Sequence, residues 1–258
     1  MSNYAFRDKE RTKKIYASSL NKEDLSTRYY CPNPFCSALM SLRQGKGQES
    51  RGAYFAALPS FPHIKDPLCS FDASEVSFDP NKNDESCFDF EEKMAALIEP
   101  SSSPKRAPTQ RGGIRSETGG CTFSTVLQLY GLCKHFDYSD TYNGRKIGYM
   151  LLDDRSLHMH PNGVFGYRIV EGVRLRHGYY YDSDSRSIKI EAPSNNPHFI
   201  FALNFESEQL FRDIKASLWK NKNKIVLAAG NWEQDGFHKD LKQYRAIINN
   251  KKQIHLIK

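Results

Sequence analysis

The sequence predicts an α+β protein in two parts, a small N-terminal module and a C-terminal β-barrel. Three cysteines and a histidine fall within 39 residues near the start of the chain, which is typical of a module held by a metal ion. After residue 145, apolar runs of strand length flank one amphipathic helix. Residues 100–120 are rich in Ser, Pro and Gly. We therefore expect domains at residues 1–99 and 121–258, joined by a flexible linker over 100–120.

The composition narrows the class of protein. The 258 residues carry a formal net charge of +7 and a sequence pI near 9.0, which suits an anionic partner. No run approaches the roughly 20 apolar residues of a membrane helix, so we expect no membrane association. The charged N-terminus lacks the apolar core of a secretory signal. The six cysteines are therefore expected to be reduced, in a cytoplasmic protein.

The first 28 residues are basic and polar, with four basic residues between positions 9 and 14. This composition fits either a short helix or a loose arm. The sequence does not decide between the two.

Residues 29–71 carry the strongest pattern in the chain. The spacing is Cys-x4-Cys, twenty-six residues, then His-x5-Cys, and the predicted ligands are Cys31, Cys36, His63 and Cys69. Two ligand pairs separated by a hairpin-length insert match the tetrahedral sulfur and nitrogen donors that Zn²⁺ takes, as in a zinc knuckle or ribbon. Four protein ligands leave no position for water, so the predicted zinc is structural. The alternative is that these are ordinary buried cysteines beside a surface histidine.

The segments YYCPNPFC, GAYFAAL and PHIKDPLC together resemble the N-terminal zinc finger of uncharacterised bacterial CoiA-like competence proteins. The resemblance covers residues 29–71 only, and the first pair here is Cys-x4-Cys rather than the commoner Cys-x2-Cys. No nuclease motif follows it. It implies the same four zinc ligands and carries no activity across. It also implies a bacterial origin, in an anti-phage defence or mobile-element locus.

Residues 72–99 form an acidic segment. Nine acidic residues against two lysines give it a net charge of −7. We expect a solvated connector; the alternative is that it lies across the basic surface and competes with nucleic acid. Residues 88–98 are good helix formers that end before Pro100, which predicts a helix.

A second helix is predicted after the linker. Thr122 or Ser124 can cap it, and its apolar residues lie mostly on one side. A second metal site from Cys121, Cys133 and His135 lacks a second close pair of ligands, so burial of these side chains is the preferred interpretation.

The C-terminal part predicts the order β-β-β-α-β-β. The expected strands are residues 167–176, 187–192, 198–205, 224–229 and 253–257, with a helix over 206–220. A helix between the third and fourth of five strands is the connectivity of the OB-fold, a small Greek-key barrel. We therefore expect an OB-like barrel.

OB-like barrels bind single strands by a positive groove and by aromatic side chains on which bases stack. The candidate nucleic-acid residues are Arg174, Arg176, Tyr179, Tyr180, Tyr181, Lys189, Lys220, Lys222, Lys224 and Trp232. Structural roles are the alternative for each class. Lysines at a helix C-terminus complement its dipole, tyrosines in strand connections commonly pack over a barrel end, and the alternative for Trp232 is to plug the core beneath the fourth strand. The combined pattern predicts a protein that binds single-stranded DNA or RNA.

Two other functions stay open. Asp153, Asp154, His158 and His160 could form a metal-dependent nuclease site if both histidines lay on one face of a strand. No Walker-type loop or nucleophile elbow is present, so the sequence favours a binding protein over an enzyme. The third class is a protein-interaction subunit of a larger complex, since aromatic loops also suit protein interfaces.

Overall fold

The computed structural model describes residues 2–43, 53–65, 68–73, 75–79, 83–99, 123–194 and 198–257. These residues form a mixed α/β structure with three α-helices, a five-stranded sheet, an eight-stranded sheet and a two-stranded hairpin. Within these ranges no helix is long and apolar enough to cross a membrane. The predicted linker at 100–120 lies outside the described residues.

The N-terminal module is an antiparallel sheet of order β2-β1-β3-β4-β5. Its strands are β1 (Tyr4–Phe6), β2 (Lys14–Tyr16), β3 (Arg28–Tyr30), β4 (Leu39–Arg43) and β5 (Tyr54–Ala57). The prediction of a helix or loose arm over residues 1–28 is wrong, because β1 and β2 belong to this sheet. All three residues of β1 are buried in the module's core. The Asp8 carboxylate accepts backbone N–H bonds from Thr12 and Lys13, so the charged residues form the turn between the strands.

Two helices cover one face of the C-terminal sheet. They are α1 (Phe90–Ile98) and α2 (Val126–His135). Phe90, Met94 and Leu97 of α1 are buried against α2 and the sheet, so this part of the acidic segment is not a solvated connector. Residue Thr125 caps α2 in a capping box with Gln128, in place of the expected Thr122 or Ser124.

The remaining strands and helix surround a second core. After the hairpin of β6 (Thr141–Tyr142) and β7 (Arg145–Lys146), they are β8 (Leu151–Leu152), β9 (Gly166–Arg174), β10 (Tyr181–Asp182), β11 (Ser187–Glu191), β12 (Phe199–Phe205), α3 (Glu208–Lys220), β13 (Val226–His238), β14 (Leu241–Ile248) and β15 (Ile254–Leu256). Strand β9 pairs with β11, β11 with β12, β12 with β14, β14 with β13, and β13 with β9. These five strands therefore form a closed ring of pairings, and α3 packs against the core that they enclose.

The fifth strand of the ring is not the predicted one. The ring is completed by β14, which pairs in parallel with β12, whereas predicted strand 253–257 is β15, paired with β13 outside the ring. The alternation in β14 places Tyr244, Ala246 and Ile248 inside the ring, with Arg245 and Ile247 exposed between them. The predicted strand at 224–229 is the first half of β13, which continues to His238.

A buried cluster of charges joins the N-terminal module to the C-terminal part. Lys134 of α2 lies 2.6 Å from Asp153 and 2.8 Å from Glu171 of β9. Arg155 also bonds Asp153, at 2.8 Å, and it donates to the hydroxyl of Tyr4 in β1. Buried charges are stable only when they are paired and hydrogen-bonded, so this cluster fixes how the two parts pack together.

Candidate functional site

The four predicted metal ligands lie together in the N-terminal module. Cys31 follows β3, Cys36 ends the turn before β4, and His63 and Cys69 follow β5. Their ligand atoms all lie within 4.8 Å of one another, and each residue is at most 5% exposed. The sulfurs of Cys31 and Cys69 are 3.7 Å apart, and Cys36 Sγ is 3.4 Å from His63 Nδ1. This buried Cys3His cluster can hold a metal ion.

Local hydrogen bonds orient the cluster. Asn33 donates its backbone N–H to Cys31 Sγ at 3.4 Å and its side-chain amide to Cys69 Sγ at 3.7 Å. The guanidinium of Arg11 donates to the carbonyls of Cys31 and Cys36, at 2.9 and 2.8 Å. Such outer contacts hold ligands in place and offset thiolate charge.

The three thiols do not ionise independently. Burial raises the pKa of Cys31 well above its usual value. Hydrogen bonds from Cys31 and Cys69 lower the pKa of Cys36. The hydrogen bond with Cys31 lowers the pKa of Cys69, but the one with Cys36 and burial outweigh it and raise that pKa to about 12. One thiolate is thus stabilised by two protonated neighbours, and a bound cation would be needed to stabilise all three as thiolates.

The candidate nucleic-acid residues around the loop at 175–186 differ in exposure. Tyr179 is 88% exposed, whereas Tyr180 is buried, with its hydroxyl donating to the Lys215 carbonyl at 3.3 Å. The Arg174 guanidinium lies 4.5 Å from the centre of the Tyr180 ring, and the Lys215 ammonium lies 4.3 Å from that of Tyr181. The contacts of Tyr180 and Tyr181 with Lys215 anchor the loop to α3. Tyr179 is the exposed aromatic side chain of the loop.

Two further candidates have structural contacts. Arg176 bonds the buried Glu191 at 2.7 Å and donates to backbone carbonyls of residues 192–194. Trp232 is 2% exposed, and its indole N–H donates to the Arg168 carbonyl at 3.0 Å inside the barrel. Burial keeps Trp232 and Tyr180 out of reach of a base, and the ion pair of Arg176 offsets its charge.

Lys189 is the point where two loops meet. Its backbone N–H donates at 2.7 Å to the carbonyl of Tyr180, which lies in the middle of the 175–186 loop, directly before β10. Its ammonium lies 3.2 Å from Nδ1 of His238, at the tip of the β13–β14 hairpin. Burial and the charges of Lys189 and Lys239 lower the pKa of His238. The imidazole is therefore neutral at pH 7, and the positive charge resides on the lysines.

The hairpin tip carries residues that sequence reasoning missed. The pairing of β13 and β14 shifts register between Gln234 and Phe237, where Gly236 adopts a φ of 84°. Such a bulge re-aims the next side chain, and Phe237 is 65% exposed. Lys239 and Lys242 lie beside it. The only signal in the sequence is the Asp-Gly pair at 235–236, a common turn or bulge signature.

The remaining candidates are spread over two regions. Lys220 ends α3, and Lys222 and Lys224 follow it, so these lysines also complement the helix C-terminus.

The proposed histidine site does not form, because residues 157–159 are a 3₁₀-helix rather than a strand. His160 is buried, with Nε2 2.9 Å from the Gly148 carbonyl, whereas His158 packs against Tyr138. In the described ranges, the Cys3His cluster is the one group with the donors and spacing to hold a metal ion.

Comparison with known proteins adds no identification. No family model, curated protein or solved structure matches the chain.

Proposed function

We propose that this protein binds single-stranded nucleic acid through an OB-type barrel that is docked to a structural zinc module. The barrel assignment is supported by the ring of five strands, in which α3 lies between the third (β12) and the fourth (β13). Oligonucleotides bind OB-folds on the second and third strands and on the loops after the first and fourth. Here those elements are β11, β12, the 175–186 loop and the β13–β14 tip.

The donor set and its geometry support zinc as the metal. Zn–S bonds of about 2.3 Å in a tetrahedron give sulfur–sulfur edges of about 3.8 Å. The 3.7 Å between Cys31 and Cys69 and the 3.4 Å between Cys36 and His63 are close to such edges. Zinc there would neutralise the thiolates and join the ends of the module, with four protein ligands and no open position for chemistry.

The observation that carries the proposal is the convergence on Lys189. Lys189 contacts both the 175–186 loop and the hairpin tip, which border one face in the proposed barrel. Each of these two loops carries an exposed ring, Tyr179 in the first and Phe237 in the second. Lysines 189, 239 and 242 supply positive charge for phosphates. Every base has a stacking face, so two exposed rings beside three lysines suit a single strand without base-specific contacts.

Fluorescence anisotropy with a labelled single-stranded oligonucleotide tests the proposal. The variant Tyr179→Ala/Phe237→Ala removes two stacking platforms worth about 1–3 kcal/mol each, and its affinity should fall at least tenfold. Phe35→Ala/Phe61→Ala, which removes two exposed rings of the zinc module, is the matched control. Equal affinities for the wild type and Tyr179→Ala/Phe237→Ala would contradict the proposed face.

A protein partner is the second candidate, because Phe35 and Phe61 are exposed on the zinc module. The dependence of affinity on salt concentration distinguishes the two functions. Affinity for nucleic acid should fall steeply between 50 and 200 mM salt, as roughly expected for phosphate contacts, whereas an apolar protein interface is much less sensitive.

A further inference from the structure

Helix α3 exposes a tryptophan at its C-terminal end. Phe211 and Leu218 are buried against the barrel core, and Ile214 packs beside them. Trp219 points away from that core and is 69% exposed. Tryptophan is on average one of the more buried residues, and it is enriched at binding surfaces, so an exposed indole here indicates a binding surface.

The sequence around Trp219 is basic. Residues 214–224 contain four lysines and no acidic residue, and the lysines are Lys215, Lys220, Lys222 and Lys224. Lys220 and Lys222 are exposed. Four lysines carry more positive charge than is needed to offset the helix dipole, which is equivalent to about half a negative elementary charge at the helix C-terminus.

The same end of α3 is attached to the proposed nucleic-acid face. Arg174 donates to the Leu218 carbonyl at 3.5 Å, and the Tyr180 hydroxyl donates to the Lys215 carbonyl at 3.3 Å. The loop that presents Tyr179 is therefore fixed to the last two turns of the helix that presents Trp219. A strand leaving Tyr179 can continue onto this end of α3.

We propose that Trp219 and the lysines around it form a second contact for the same single strand, with a base stacked on the indole and phosphates on Lys220 and Lys222. This inference rests on the proposed function. An anionic membrane surface fits less well, because the apolar face of α3 is packed on the barrel and cannot insert into lipid. The contact would make affinity depend on strand length.

Tryptophan fluorescence gives a direct test, because the chain has two tryptophans in opposite environments. Trp232, at 2% exposure, is an internal reference that a base cannot reach. Titration with a 25-nucleotide oligothymidine should quench part of the wild-type emission, and Trp219→Ala should abolish this quenching. The variant's affinity for the 25-mer should fall about 5- to 150-fold, the loss of one stack. Its affinity for a 6-mer confined to the face at Lys189 should not change.

One control variant and three distinguishable outcomes make the test decisive. Lys251→Ala/Lys252→Ala, two exposed lysines at the far end of the chain, should leave the 25-mer affinity within about twofold. Binding of both oligonucleotides with unchanged emission and no effect of Trp219→Ala would overturn this contact and leave the proposed function intact. Absence of binding to either oligonucleotide by the wild type would overturn both. A blue shift of Trp219 with anionic vesicles, without quenching by the 25-mer, would reassign the patch to membranes.

Discussion

Replacing Lys134 with methionine is the most severe test of the buried charge cluster that joins the N-terminal module to the C-terminal part. The Lys134 ammonium lies 2.6 Å from Asp153 and 2.8 Å from Glu171, and these three side chains are at most 6% exposed. In Lys134→Met, Asp153 keeps Arg155 at 2.8 Å, while Glu171 is left facing the hydroxyl of Tyr130 at 2.6 Å. A buried carboxylate then lacks its cation.

The loss of stability in Lys134→Met follows from the unpaired carboxylate of Glu171. Removing one partner of a buried ion pair costs about 3–5 kcal/mol, because the other charge stays buried and unpaired. Lys134→Met/Glu171→Gln removes both charges, and the glutamine amide can still accept from Tyr130. The double variant should therefore be more stable than Lys134→Met by about 2 kcal/mol or more.

Urea unfolding of the wild type, both single variants and the double variant measures these differences. At an unchanged slope, the midpoint of Lys134→Met should fall by about 1 M or more. A cost below about 1 kcal/mol for Lys134→Met, or a double variant whose cost equals the sum of the singles, would refute the account of the cluster.

Three further predictions concern the metal, a carboxyl group and the barrel. Metal analysis should find one ion per wild-type chain and much less in Cys36→Ser, with Cys87→Ser, which changes an exposed thiol, retaining it. Burial and the charges of Glu171 and Asp153 raise the pKa of Asp154 to about 7, so the contribution of this one carboxyl group to stability is lost as pH rises from about 4 to 7. Asp154→Asn should be the more stable protein at pH 8, and urea midpoints should converge toward pH 4; a constant difference would contradict this. Gly230→Ala should cost about 1–3 kcal/mol, because its Cβ would lie 2.5 Å from that of Ala246, and adding Ala246→Gly should restore most of the loss in thermal unfolding.

The metal cluster was predictable because its chemistry fixes both residue type and spacing. Thiolates and imidazoles in close pairs are the usual donors of a structural metal site, and the structure brings Cys31, Cys36, His63 and Cys69 together. The strands at 187–191 and 199–205 were equally clear, since each shows an alternating or continuous apolar run. In these segments, local pattern and tertiary packing agree.

Other features depend on contacts distant in sequence. Strand β14 was missed because Lys242 and Gln243 before its buried residues, and Arg245 between two of them, weaken the apolar pattern. Its pairing with β12 also spans about 40 residues. Lys134 resembles an ordinary surface lysine on a helix, and its partners Asp153 and Glu171 lie in other elements. Trp232 was a candidate for nucleic-acid binding with burial in the core as the alternative, and the closed ring places it inside. No local pattern distinguishes these cases.

The most direct test of the proposed single-strand binding is a hydrogen-exchange footprint of the native protein with a single-stranded oligonucleotide. Amide exchange should be slower in residues 176–191 and 233–242, which hold Tyr179, Lys189 and Phe237, and unchanged in strands β3 and β4 of the N-terminal module. Unaltered exchange in both segments at saturating oligonucleotide, or protection confined to the N-terminal module, would contradict single-strand binding at this face.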